Sequence, residues 1–397
     1  MISQTALDRL KRVPWLNRAE TQRVFALLDG AKGRTRAVGG IVRDTLVDRM
    51  RETPEIDFAT ELTPDEVSKR AATAGVPVYP TGIEHGTVTL KVGDLIAEVT
   101  TLREDVETDG RHAKVKFGRD WTRDAQRRDF TLNALYVGPD GTLFDPLGGA
   151  EDCMEGRVRF IGDPDQRIAE DRLRVYRFFR FSASHGHEKL DPAGLDAVTR
   201  AAGQLDGLSA ERIGHEMRRM LDLQHISTTL SAMRRASILE FPGQLIDWLG
   251  GYERHAHRPN LNARLALLVE SLGSAGLKER WRLSNDDIGS AEKTLSAARL
   301  LIGFHVNEAA YRFPATLADA IDVAAALAGW TEAGKSAVMA HLEGIEVPRF
   351  PITGNDLIEE GISPGPGLGA ELDRLEKKWI ASNFRLEKSA LLAELKR

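Results

Sequence analysis

The stretch that most constrains the fold of this chain, residues 37–60, opens with a diglycine. The residues before Gly39 and Gly40 indicate the end of a strand, and the diglycine indicates a break before a helix that begins near Ile41. Two glycines let a backbone approach a bulky anion closely, and the first turn of a helix offers unpaired N–H groups to phosphate. Arg43 falls in that turn, where its guanidinium can reach the same anion. We therefore predict a phosphate-binding turn.

The second half of this stretch, residues 54–60, is predicted to be a strand. Side chains alternate along a strand, so Glu55 and Asp57 share one face while Ile56 and Phe58 face the core. Hard Mg²⁺ ions take oxygen ligands and bridge protein carboxylates to substrate phosphates. Two carboxylates beside a phosphate-binding turn therefore predict metal-assisted transfer of a nucleotide.

A third acidic residue lies on a later predicted strand. Residues 76–101 alternate in polarity, and Gly93 and Asp94 are typical of a two-residue hairpin turn. If the strand after this turn neighbours residues 54–60, Glu98 becomes a third carboxylate of the same site. Otherwise Glu98 is an exposed strand acid.

Length and composition narrow the class of protein. A chain of 397 residues predicts two to four domains. No run approaches the roughly 18 apolar residues of a membrane span, the first residues are not typical of a secretory signal, and Cys153 is the only cysteine. We therefore expect a cytoplasmic protein without a membrane partner.

The net charge of −5 argues against a large basic surface. Clustered arginines, as at 167–180, can still bind RNA locally, or they can be solvated helix faces.

Several helices are predicted around these strands. Residues 3–32 indicate one or two amphipathic helices, and Thr63, Pro64 and Glu66 form the signature of a helix start. The apolar residues that follow Asp129 suit a core-facing helix. From residue 208 onward the sequence is predicted to be helical.

Three motifs together resemble one family. They are GGIVRD with IDFAT at 39–60, RRDFTLNAL at 127–135, and EDRLR at 170–174. This combination resembles the class II CCA-adding tRNA nucleotidyltransferases and bacterial poly(A) polymerases. The resemblance implies an α+β fold, with an N-terminal polymerase beta-like mixed sheet flanked by helices and an all-helical C-terminal region. It implies a catalytic head (1–150), a base-reading neck (151–220), an RNA-binding body (221–344) and a tRNA-binding tail (345–397).

The same resemblance implies roles for individual residues. Two Mg²⁺ ions would be held by the catalytic carboxylates Glu55, Asp57 and Glu98. The expected nucleotide-binding residues are Gly39, Gly40, Arg43, Asp44, Arg111, Arg128, Asp129, Asn133, Asp171, Arg174, Arg177 and Arg180. Arg111 lies with Asp109 and Gly110 in a long polar loop, which the resemblance places near the incoming nucleotide.

Residues 169–182 are predicted to form one helix. At 100° per residue, Asp171 and Arg174 would be neighbours on one face, and Arg180 would point to the opposite side. A neighbouring carboxylate and guanidinium can pair with the edge of a nucleotide base, which is how side chains distinguish bases in nucleic acids. The alternative is a simple salt bridge between the two side chains.

The predicted reaction is template-independent addition of CCA to the 3′ end of tRNA from CTP and ATP, with release of pyrophosphate. The family strand normally carries Asp-x-Asp, whereas this chain has Glu55-Ile56-Asp57. A catalytically weakened RNA-binding homologue is therefore one alternative. Poly(A) synthesis and addition of only CC or only A are the others.

Overall fold

The computed structural model describes residues 2–49, 55–104 and 116–395. The chain divides into two compact units, residues 1–208 with 235–238 and residues 209–234 with 239–397. The predicted loop contacts Asp109, Gly110 and Arg111 lie outside the described residues.

The first unit carries a mixed seven-stranded sheet. Its strands are β1 (Thr35–Val38), β2 (Ile56–Thr60), β3 (Val78–Gly82), β4 (Thr87–Val92), β5 (Leu95–Thr101), β8 (Tyr136–Val137) and β9 (Leu143–Phe144), while β6 (Arg103–Glu104) and β7 (Lys116–Phe117) form a separate pair. The order across the sheet is β3-β4-β5-β2-β1-β8-β9. The β2–β5 pair is parallel and the other pairs are antiparallel.

Among the described residues, the first unit also has ten α-helices. They are α1 (Gln4–Arg12), α2 (Pro14–Asn17), α3 (Ala19–Leu27), α4 (Gly40–Leu46), α5 (Pro64–Thr73), α6 (Trp121–Gln126), α7 (Gly149–Glu155), α8 (Pro164–Glu170), α9 (Arg174–His185) and α10 (Pro192–Ala201). The start of α5 confirms the predicted capping box, because Thr63 and Glu66 each bond the other's backbone N–H.

The described residues of the second unit form helices joined by loops, without strands. Its helices are α11 (Ala210–Leu221), α12 (Ser227–Arg235), α13 (Gly243–His255), α14 (Leu261–Leu272), α15 (Ser274–Trp281), α16 (Asn285–Ile302), α17 (Val306–Arg312), α18 (Leu317–Ala328), α19 (Glu332–Glu343), α20 (Gly354–Glu359), α21 (Pro366–Ala381) and α22 (Lys388–Ala393). A mixed sheet followed by helices confirms the predicted α+β class. Among the described helices, none is long and apolar enough to cross a membrane. The four-part domain division stays a prediction.

Two helix predictions were wrong in the first unit. Residues 3–32 form three α-helices rather than one or two, because Val13 and Arg18 are extended and interrupt them. The apolar residues after Asp129 form a single 3₁₀ turn, Thr131–Asn133, and then enter β8. Long-range pairing explains the second error, because Thr131 N–H donates to the Arg159 carbonyl and Ile161 N–H donates to the Asp129 carbonyl.

The predicted single helix over 169–182 is also wrong. Asp171 ends α8 with an extended backbone (φ −149°, ψ 103°), and α9 begins three residues later at Arg174. The Asp171 carboxylate accepts a hydrogen bond from the backbone N–H of Leu173 at 3.1 Å. A carboxylate that bonds its own chain two residues onward stabilises a turn and competes with helix continuation.

Candidate active site

The predicted phosphate-binding turn lies where β1 passes into α4. Gly39 has φ +74° and ψ −125°, a conformation that an L side chain rarely adopts, and a Cβ there would lie 3.7 Å from the Asn133 carbonyl oxygen. Helix α4 begins at Gly40 without a side-chain cap. Its first backbone N–H groups therefore have no capping side chain, as an anion site at a helix start requires.

The Arg43 guanidinium lies over this turn and is 5% exposed. One of its nitrogens would lie 3.6 Å from a Cβ at Gly40. Arg43 donates to Asp44 Oδ1 from Nε at 2.9 Å and to Asn133 Oδ1 from Nη1 at 2.6 Å. A buried guanidinium with two fixed acceptors is held in one orientation. The structure thus brings together four of the predicted nucleotide-binding residues, Gly40, Arg43, Asp44 and Asn133.

Asp129 connects this cluster to α9. Its Oδ1 accepts from Asn133 at 3.0 Å, and its Oδ2 forms an ion pair with Arg177 Nη2 at 2.6 Å. Burial alone would raise the pKa of Asp129, but the charge of Arg177 and the hydrogen bond from Asn133 outweigh it and lower that pKa. Asp129 is therefore a charged anchor rather than a proton donor.

Arg128 is fixed by two residues that the sequence did not single out. Asp124, which is 1% exposed, accepts from Arg128 Nη2 at 3.1 Å and from the Tyr136 hydroxyl at 2.9 Å. Arg127 also donates to Asp124, from Nη2 at 2.6 Å. The sequence held one signal for Asp124, because an acid three and four residues before two arginines can pair with both on a helix. It held no signal for Tyr136.

Two of the predicted carboxylates lie on neighbouring strands, and the third, Glu55, directly precedes β2. Asp57 on β2 is directly opposite Glu98 on β5, and Val38 of β1 is on its other side. The strand pairing on which the Glu98 prediction depended is therefore confirmed, and the role of Glu98 as an active-site carboxylate stays a prediction. Ile56 and Phe58 are fully buried while Asp57 is exposed, as the strand alternation predicted.

The charges of these carboxylates are coupled. Partial withdrawal from water and the negative charge of Glu98 raise the pKa of Asp57 to about 6, with Glu55 adding to the rise and Arg128 opposing it. A divalent cation would relieve the repulsion between these carboxylates by neutralising their charge, and carboxylate oxygens are the donors that Mg²⁺ prefers. Within the described ranges, however, no group of three or more His, Cys, Asp or Glu side chains stands in metal-binding geometry. The donor chemistry fits Mg²⁺, while the side chains are not gathered into a ready-made site.

The predicted base-reading residues are arranged differently from expectation. Arg174 Nη1 donates to Glu170 Oε2 and to the Arg167 carbonyl, both at 2.7 Å. Because the helix breaks between Asp171 and Arg174, the two do not share one helical face, and the predicted pairing geometry was wrong. Arg180 is 5% exposed, with its guanidinium 4.1 Å from the ring centre of Phe181.

Comparison with known proteins identifies the family. Residues 35–159 match the poly(A) polymerase head domain, and residues 189–244 match the probable RNA- and SrmB-binding site of polymerase A. The chain is 33% identical over 382 residues to CCA tRNA nucleotidyltransferase 1, mitochondrial, of Danio rerio, covering 91% of this chain and 86% of that protein. The chain belongs to the CCA-adding enzyme and poly(A) polymerase family.

Two further members of this family are similar over nearly the whole chain. The CCA-adding enzyme of Levilactobacillus brevis is 32% identical over 375 residues, covering 90% of this chain and 92% of that protein. The crystal structure of the Bacillus stearothermophilus CCA-adding enzyme in complex with CTP has a TM-score of 0.75 and 26% identity, covering 95% of this chain and 96% of that one. The family predicted from the three sequence motifs is therefore confirmed.

Proposed function

We propose that this protein adds C, C and A to the 3′ end of tRNA, using CTP and ATP and releasing pyrophosphate. The observation that carries the proposal is the direct pairing of Asp57 with Glu98 on parallel strands, in the same sheet as the strand that leads into the diglycine turn. Family membership and the relatives named as CCA-adding enzymes support tRNA and the two nucleotides as substrates.

The phosphate-binding turn would hold the triphosphate. Gly39 and Gly40 allow its close approach, Arg43 supplies positive charge, and Asp44 lies beside Arg43. Arg128, Asp129 and Asn133 form the next layer, around the ribose and the phosphates. We keep Arg111 as a predicted nucleotide contact.

Nucleotide transfer needs charge neutralisation at the α-phosphate. Glu55, Asp57 and Glu98 would hold two Mg²⁺ ions, which would supply Lewis acidity at the α-phosphate and at the leaving group. The RNA 3′-hydroxyl gives up its proton to solvent water, and its oxygen forms a bond to the α-phosphorus as the bond to the bridging oxygen breaks; pyrophosphate leaves with that electron pair. The protein's part is positioning, which is why fixed side chains such as Arg43 matter.

Base selection is assigned to α9 and the turn before it. Asp171 and Arg174 would present an acceptor and donors to cytosine or adenine, with Arg177 and Arg180 behind them. Asp171 and Arg174 are both half-buried. In this arrangement Asp171 acts from the end of α8 and Arg174 from the start of α9, rather than from one helical face.

One assay separates this function from its alternatives. Purified protein is incubated with Mg²⁺ and tRNA lacking its CCA end, with CTP and ATP supplied singly or together. We expect extension that stops after three added nucleotides. Long ladders with ATP alone would indicate poly(A) synthesis, a stop after C-C or after A alone would indicate a partial enzyme, and no extension would indicate an RNA-binding homologue.

We propose the cytoplasm as the compartment. The only cysteine of the sequence, Cys153, is a buried thiol whose pKa is raised to about 12 by burial. The thiol is therefore protonated near neutral pH, and a single cysteine cannot form an internal disulfide, as is usual for cytoplasmic proteins. The Danio rerio relative is named as mitochondrial, so fractionation of cells that express a tagged protein is the direct test.

A further inference from the structure

The C-terminal end of α9 places a histidine against the helix that starts at the phosphate-binding turn. His185 Nε2 lies 3.0 Å from Asp44 Oδ1 on α4, although the two residues are 141 positions apart. On the other side of the ring, Ser184 Oγ lies 2.7 Å from His185 Nδ1. The side chains of His185 and Asp44 are 11% and 13% exposed. This is a nearly buried chain of polar contacts, not a surface ion pair.

The protonation state of this chain follows from its surroundings. Burial lowers the pKa of His185 to about 4, so the ring is neutral near pH 7 and carries a single N–H. Burial alone would raise the pKa of Asp44, but the hydrogen bond from His185 and the charge of Arg43 outweigh it and lower that pKa. An ionised carboxylate can only accept, so the imidazole N–H is on Nε2 and donates to Asp44. Nδ1 therefore accepts from the Ser184 hydroxyl.

The same carboxylate oxygen holds Arg43. Asp44 Oδ1 accepts from Arg43 Nε at 2.9 Å and from His185, and it forms an ion pair with Arg43 Nη2 at 2.9 Å. Arg43 Nη1 is fixed separately by Asn133 Oδ1 at 2.6 Å. The orientation of the guanidinium over Gly40 is thus set by two acceptors, and one of those acceptors is itself held by His185.

We propose that His185, with Ser184 behind it, is a positioning residue that fixes the Asp44–Arg43 pair over the phosphate-binding turn and so sets affinity for the triphosphate. This inference rests on the proposed function, in which Arg43 contacts the nucleotide. His185 acts through Asp44 and touches no reacting atom. Neither the phosphate-binding motif nor the base-reading motif of the sequence contains it.

A positioning role predicts a specific kinetic pattern. CTP and ATP carry the same triphosphate, so loss of the His185 hydrogen bond weakens the binding of both nucleotides by the same factor. The preference between CTP and ATP is unchanged. We expect KM for both nucleotides to rise about 10-fold, the size of one lost hydrogen bond to a charged group, with a smaller change in kcat. A merely structural role would lower the melting temperature and the active fraction while leaving KM unchanged.

The test compares four variants with the parent protein. His185→Phe keeps a ring beside Phe181 but removes the donor, while His185→Gln places an amide N–H near the position of Nε2 and rescues KM for both nucleotides. Ser184→Ala raises KM by a smaller factor. The matched control is Thr35→Val, which removes a buried hydroxyl hydrogen-bonded to Leu28 and Thr60 in the same unit, so it lowers stability and leaves KM unchanged.

The readouts separate this inference from the proposed function. Dissociation constants of CTP and of inorganic triphosphate, measured with Mg²⁺ by titration calorimetry, accompany the steady-state kinetics of tRNA extension. If the parent fails to extend tRNA yet binds both ligands, the proposed function fails and the His185 variants still test the positioning. Equal affinities in the parent and His185→Phe, a changed CTP-to-ATP ratio, or no binding by the parent would each overturn the inference.

Discussion

Asp57 is the residue at which charge and the proposed metal binding meet. With its pKa raised from an ordinary 3.8 to about 6, the folded protein without metal binds this proton more tightly than the unfolded chain does. Protonation of Asp57 therefore favours the folded state most fully below the ordinary pKa, and that contribution is lost as pH rises through about 6. Mg²⁺ competes with the same proton, so its stabilising effect should grow over the same range.

We predict that 10 mM Mg²⁺, roughly the concentration that millimolar affinity requires, raises the melting temperature more at pH 7.5 than at pH 5. Thermal denaturation at the two pH values, with and without the metal, measures the difference. The control is Asp57→Asn, which cannot titrate and should show little response to Mg²⁺ at either pH. An equal Mg²⁺ effect in the parent at both pH values would contradict the assignment of Asp57 as a ligand.

Glu55 is the residue where this chain departs from the Asp-x-Asp pattern. It directly precedes β2, and its negative charge adds to the rise in the pKa of Asp57. We predict that Glu55→Ala lowers the rate of single CTP addition about 100-fold, because one oxygen ligand to the metal is lost, and that Glu55→Asp retains activity. Single-turnover extension of tRNA measures both. Equal rates in the parent and both variants would show that Glu55 is not a ligand.

The site residues differ in how far sequence could find them. The positions of Asp57 and Glu98 could be predicted because both signals are local: side chains alternate along a strand with period two, and a two-residue turn marks a hairpin. Tyr136 and His185 left no local signal, since each acquires its partner only when distant segments pack together. The link between His185 and Asp44 spans 141 residues, and nothing within either helix indicates it.

Helix α7 positions the turn that carries Asn133. A Cβ at Gly149 would lie 2.0 Å from the Thr131 carbonyl oxygen, so only glycine lets α7 pack this closely on the 3₁₀ turn. We predict that Gly149→Ala destabilises the protein by about 2 kcal/mol or more, because overlap with backbone exceeds the gain of about 1 kcal/mol in helix propensity. Urea unfolding measures the change, and Asn133 should lose its place beside Arg43, raising KM for CTP.

The matched control is Gly203→Ala in the same unit, where a Cβ would meet nothing within 4 Å. This variant should leave both the unfolding midpoint and KM close to those of the parent. A similar loss of stability in the two variants would mean that the contact between α7 and the turn is not the cause.

Elements with their own end signals were predictable, and elements shaped by distant partners were not. Helix α5 begins at a capping box, and α11 begins after Ser209, whose hydroxyl accepts from the backbone N–H of Arg212. The segment after Asp129 has helix-like apolar spacing, yet its backbone groups pair with residues 159–161 instead. Tertiary pairing of this kind overrides local preference, since a buried backbone group must find a partner somewhere.

At the scale of the whole molecule, the two compact units divide the proposed work. All the proposed nucleotide and metal residues lie between Gly39 and Arg180, within the unit that contains residues 1–208. Each unit has a hydrophobic cluster of its own, around Trp121 and Tyr136 in the first and around Trp379 in the second. Composition and net charge could indicate several domains but could not locate this boundary, because the sequence around residues 208 and 209 contains no Pro- or Gly-rich linker.

Ligands should therefore act on the units separately. A ligand stabilises the part of a protein that binds it, and amide hydrogen exchange reports that stabilisation segment by segment. We predict that CTP with Mg²⁺ slows exchange in α4, in β2 and in α9, and leaves α16 and α21 unchanged. The proposed tRNA contacts of the helical unit predict that tRNA slows exchange there. CTP without Mg²⁺ is the control and should protect less, because Asp57 and Glu98 then remain uncompensated. Protection that spreads evenly over both units with CTP alone would show that they open as a single cooperative body.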